Sequence, residues 1–173
     1  MRAVRVCMLA TLMCVAAGAV AQDQGHVSSL SKLKLGNVEG APKCMILAPS
    51  HGDPTKGASV VIVKMSSGCA VPWHWHTATE NLMMVSGKGK AEMKGSPAAT
   101  VVPGDFVYLP GKTQHQFTCV LGCTFFLNLE GPFDMHYVDK DGNEIPPDQA
   151  LKSGAKPAMK KGATEKKGSE EKK

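Results

Sequence analysis

The stretch GCAVPWHWHTATENLMMVSG, Gly68 to Gly87, decides how this chain is read. It holds both tryptophans of the chain and two of its six histidines. In a strand, alternate side chains share a face, so His74 and His76 point one way and Trp73 and Trp75 the other. In a barrel wall this sends both imidazoles inward and leaves the indoles to pack outside. Two imidazoles one pleat apart can converge on one ion, at about 2.0–2.1 Å per nitrogen. Glu80, four residues on, can add an oxygen from the next bend.

On either side of this stretch the chain reads as short strands. Candidates cover residues 44–47, 59–65, 71–76, 81–86, 90–94, 100–102, 106–109, 115–120, 124–129 and 133–138. Turn signals such as SGKG, PGD, PGKT, LGC and EGP separate them. No sustained helical period occurs. Many short strands at spacings near ten residues predict an all-β fold, a small antiparallel β-barrel or sandwich. Three residues between Cys119 and Cys123 predict a hairpin with Gly122 at a left-handed position.

Both ends differ from this middle. Residues 1–21 open with Arg2 and Arg5, continue as an apolar run, and close on Ala19-Val20-Ala21. They read as a cleaved signal peptide, because the run is shorter than the roughly 20 residues a membrane span needs. The protein is therefore expected to be exported, periplasmic or secreted, without a stable membrane anchor. Residues 22–42 form a polar leader of open structure, and residues 43–151 the barrel domain. Residues 152–173 hold eight lysines against Glu165, Glu170 and Glu171, with almost no large apolar side chain. Such a segment cannot offset its ordering entropy and is expected to be disordered. It carries +5 while residues 22–151 carry −2, so the basic character belongs to the tail. Nucleic acid is not an expected partner.

With these residues in view, the chain resembles the cupin superfamily, type 2. The first cupin motif, G-x5-H-x-H-x3-E-x6-G, is matched by Gly68, His74, His76, Glu80 and Gly87. The second, G-x5-P-x-G-x2-H-x3-N, is matched by Gly104, Pro110 and His115. Lys112 stands where that motif has its second glycine, with Gly111 one residue early, and this shift is expected to alter only the turn. Cys119 stands where it has asparagine. The resemblance implies a double-stranded β-helix, or jelly roll. It also implies one divalent transition metal on His74, His76, Glu80 and His115. Affinity order in an exported protein favours copper and zinc, and the expected metal is iron, copper or zinc ahead of manganese or nickel. His26, His51 and His136 have no partner at ligand spacing and read as non-ligands.

Parity from these ligands places Leu82, Met84, Phe117 and Cys119 in the pocket, with either Phe106 and Tyr108 or Val107 and Leu109. No arginine follows Arg5, which disfavours strongly anionic substrates. The expected ligand is a neutral or weakly acidic small organic molecule. The implied function is a metal-dependent, dioxygenase-like oxidoreductase; the alternative is a non-catalytic metal- or ligand-binding module. No catalytic side chain is identified beyond the ligands. Trp73, Trp75 and Met83 point outward and suggest a homodimer. Cys119 and Cys123, facing each other across the expected hairpin, are the candidate disulfide, against a reading of Cys119 as a free thiol below the metal. Cys44 and Cys69 stay undecided.

Overall fold

The computed structural model describes residues 25–153; the signal-like segment and all of the lysine-rich tail after Ser153 lie outside them. The strands are β1 (Met45–Gly52), β2 (Ser59–Met65), β3 (Ala70–Trp75), β4 (Glu80–Met93), β5 (Ala99–Val101), β6 (Phe106–Leu109), β7 (His115–Leu129) and β8 (His136–Tyr137), followed by helix α1 (Pro147–Ser153). Every pairing between them is antiparallel. The architecture is the expected all-β, jelly-roll type.

β4 and β7 pair along their whole lengths and carry the rest. The first half of β4 also pairs β6, and the second half of β7 pairs β2, which pairs β1. Beyond a bend, the second half of β4 pairs β5, while the first half of β7 pairs β3, which pairs β8. Two leaves result, joined by the two long strands, with the core between them. The sheet is not closed, since its order runs from β1 to β8 without a ladder joining those ends.

The bend corrects two expected turns. SGKG and LGC do not reverse the chain; both lie inside continuous strands. The β4–β7 register slips three times between Met84 and Gly89, and Gly87 sits there at φ +91°. A Cβ on Gly87 would fall 2.2 Å from the Gly122 carbonyl oxygen, so the strands cross closely only through a glycine. Gly122 is not among the residues with positive φ. Val120, Leu121 and Gly122 bulge outward and are exposed. The bulge is three residues long, so odd positions face the core on both sides of it: Phe117, Cys119, Cys123, Phe125, Leu127 and Leu129 are all buried.

The bulge also brings Cys119 and Cys123 together. Their Cα atoms are 5.7 Å apart and they form a disulfide, as do Cys44 and Cys69. The cause is a local loop rather than a hairpin. Other expected boundaries moved. Residues 133–135 are not strand, and Lys152 and Ser153, assigned to the tail by composition, end α1. Part of the leader packs on the domain: Gly36 bridges Leu47, and Ala41 is buried in the core.

Candidate metal centre

His74 and His115 are direct cross-strand partners on β3 and β7, so register alone sets their rings side by side, with centroids 4.2 Å apart. His76 follows the end of β3, and its ring lies 4.8 Å from that of His74. One ligand-capable atom from each of the three falls within 4.8 Å of the others. Glu80 starts β4 and brings its Oε2 to 3.1 Å from His76 Nε2. All four side chains are buried.

The polar partners of these rings fix which nitrogen is free. His74 Nδ1 donates to the Pro72 carbonyl at 2.7 Å and His115 Nδ1 to the Thr113 carbonyl at 2.8 Å. His76 Nδ1 donates to the Asp134 carbonyl. A carbonyl can only accept, so in each neutral ring Nε2 carries the lone pair, the tautomer a metal ligand needs. Burial, then the neighbouring His115 and His76, hold the His74 imidazole well below the ordinary histidine range. His115 is also lowered, chiefly by burial, with Glu80 and the Thr113 carbonyl opposing. Both rings are therefore neutral at pH 7 and free to ligate.

Glu80 supplies the test of fit. Its Oε2 is buried, accepts no hydrogen bond, and faces the lone-pair nitrogen of His76. With the His76 ring neutral these are two acceptors at that distance, an unfavourable contact for a buried carboxylate. A cation between them removes both penalties. The donor set of three imidazoles and one carboxylate suits a divalent transition ion.

Above the ligands lies a cavity of about 50 Å³, lined mainly by Met45, Leu47, Leu82, Phe117, Phe133 and Met135. Its wall contains no lysine or arginine among the described residues. Of the four expected pocket residues, Leu82 and Phe117 line it. Met84 and Cys119 do not: both are buried deeper in the core, toward the bend, and the Cys119 sulfur is bonded to Cys123. Strand β6 contributes Val107 and Leu109, while Phe106 and Tyr108 are exposed.

Three contributors were missed from sequence because they lie beyond both motifs. The Phe133 ring lies tilted against that of His76, with centroids 5.3 Å apart. Asp134 holds His76 through its carbonyl and the Thr77 N–H through its carboxylate. Tyr137, cross-strand from His74, is buried, and its hydroxyl has no hydrogen-bond partner. Only the tertiary fold brings this segment, about 60 residues downstream, against the H-x-H strand. His136 lies outside the three-histidine group and stacks on Trp75 at 3.9 Å.

A family model of the cupin domain, type 2, matches residues 61–120. No curated protein matches. Among solved structures, an RmlC-like cupin from Ralstonia eutropha has a TM-score of 0.57 at 18% identity, over 75% of this chain and 87% of its own. The polyketide cyclase RemF from Streptomyces resistomycificus scores 0.54 at 17% identity, over 70% and 89%. The DMSP lyase DddQ from Ruegeria pomeroyi scores 0.55 at 18% identity, over 65% of this chain and 64% of the lyase. The match thus spans less than two thirds of the lyase. At these identities the likeness is one of fold.

Proposed function

The chain belongs to the cupin superfamily, and from that premise we propose that it is an exported, metal-centred enzyme acting on a small neutral or weakly acidic organic molecule. The observation that carries this reading is the orphaned Glu80 oxygen facing the free nitrogen of His76. His74, His76, Glu80 and His115 would hold a divalent ion, which would supply Lewis acidity or redox chemistry at the cavity.

The chain's own residues do the remainder. The carbonyls of Pro72, Thr113 and Asp134 hold three rings in one tautomer and orientation. The apolar wall excludes water, which strengthens each charge interaction inside. The lack of a cation in that wall disfavours phosphates and polycarboxylates. Export is supported by residues 1–21 and by two disulfides, which suit an oxidising compartment.

Elemental analysis of wild type and His76→Ala tests the centre and identifies the metal, with iron, copper or zinc expected. About one equivalent in wild type and under a tenth of that in the variant is the expected result. Equal content in both overturns the reading. Oxygen uptake and product analysis on enols and catechols, with lyase and cyclase substrates beside them, then separates enzyme from binding module.

A further inference from the structure

His26 and His51 are 25 positions apart, and each is without a partner at ligand spacing in the sequence. In the fold they meet. Their rings are stacked with centroids 5.2 Å apart and planes 29° from parallel, and both side chains are exposed. Neither belongs to the barrel centre.

The arrangement has a structural origin. The β1–β2 register slips between Pro49 and His51, which leaves Ser50 as an extra residue on β1. Such a bulge re-aims the following side chain. The Ser50 carbonyl instead receives the leader: His26 Nε2 lies 3.3 Å from it and Ser28 Oγ donates at 2.7 Å. The leader is thus pinned so that His26 lies over His51. Since a carbonyl only accepts, the bond from Nε2 leaves His26 Nδ1 as the lone-pair nitrogen. This is the same device that prepares the inner ligands.

We propose that His26 and His51 form a second, surface site for a late divalent transition ion, copper(II) ahead of zinc(II). Two nitrogens each about 2.0–2.1 Å from one ion are roughly 3 Å apart. Exposed rings with centroids 5.2 Å apart reach that by side-chain rotation alone. Water completes the coordination, so the site is weaker than the buried one and exchanges its ion freely. Affinity order places copper first. The bound ion also clamps the leader to β1.

The test is calorimetric titration of copper(II) and zinc(II) into the untagged, metal-free exported protein, beside His51→Ala, His76→Ala and His136→Ala. Wild type is expected to take one tight and one weaker equivalent. His51→Ala should keep the tight equivalent and weaken the other at least tenfold. His76→Ala should lose the tight one and keep the weaker. Copper electron paramagnetic resonance of the weaker equivalent should show two-nitrogen coupling. A weaker equivalent that survives in His51→Ala, or that disappears in His136→Ala instead, overturns the proposal. The inner centre is read separately through His76→Ala, so failure of one site does not decide the other.

Discussion

At Lys112 the chain keeps a glycine's conformation without the glycine. Its φ is +65°, and its N–H donates to the His76 carbonyl at 2.8 Å. Lys112 thus takes the left-handed conformation at the position where the motif has glycine. The hydrogen bond to the backbone of a candidate metal ligand holds Lys112 in a left-handed geometry costing roughly 1–2 kcal/mol for a side chain with a Cβ. Lys112→Gly recovers that strain less the extra entropy of an unfolded glycine. It should raise stability by up to about 1 kcal/mol in urea unfolding and leave metal content unchanged; a loss of stability would show that the lysine side chain contributes packing. The rings of the candidate centre set a second expectation. His74 and His115 take up protons less readily in the fold than in the unfolded chain, whose histidines titrate near 6.5. Between that pH and the lower folded values the unfolded state binds more protons, so stability rises with pH. Metal-free protein should keep full stability above about pH 6.5 and lose it progressively as the pH falls toward 5. A thermal midpoint that stays flat over that range would mean the rings are not held neutral.

The elements show which features were legible and which were not. The H-x-H strand, the glutamate four residues on and the later histidine were readable because strand parity and motif spacing are local properties. The long strands were not, because Gly87 and Gly122 carry the same composition whether a chain reverses or merely bends. What decided it was cross-strand register over all of β4 and β7, which no single window contains. The same limit hid Asp134, whose backbone, not its side-chain type, holds His76. The disulfides follow from this layout and differ in expected worth. Cys44–Cys69 spans 25 residues and Cys119–Cys123 only 4. By loop-closure entropy the first contributes about 3.5 kcal/mol and the second about 2. Replacing each pair by alanines should reproduce that order in chemical denaturation, and the reverse order would show that the bulge, not the N-terminal staple, is the main crosslink.

For the whole molecule, the unexplained surface is apolar. The sequence pointed to Trp73, Trp75 and Met83 as one outward face, but they occupy different leaves: the tryptophans lie on β3, where Trp75 is half-buried against His136, while Met83 lies on β4 beside β6. Met83 pairs directly with Phe106, and Tyr108 follows on the same face of β6. Phe106 is 59% exposed and Tyr108 58%, with Val85 on the same face of β4 also exposed. Four large apolar side chains on adjoining strands form a patch of the kind that seeks a partner. Among the described residues β6 pairs only with β4, which leaves a strand edge beside it that a second copy can cover. We propose a homodimer through this β4–β6 face, with the tryptophan face uninvolved. Light scattering at micromolar concentration should give twice the mass of the chain for wild type. Phe106→Lys should give the monomer with the same metal content, because Phe106 lies on the far side of the sheet from the cavity. Trp73→Ser should leave the dimer intact. A monomeric wild type, or a dimer indifferent to Phe106→Lys, would leave this face to some other partner.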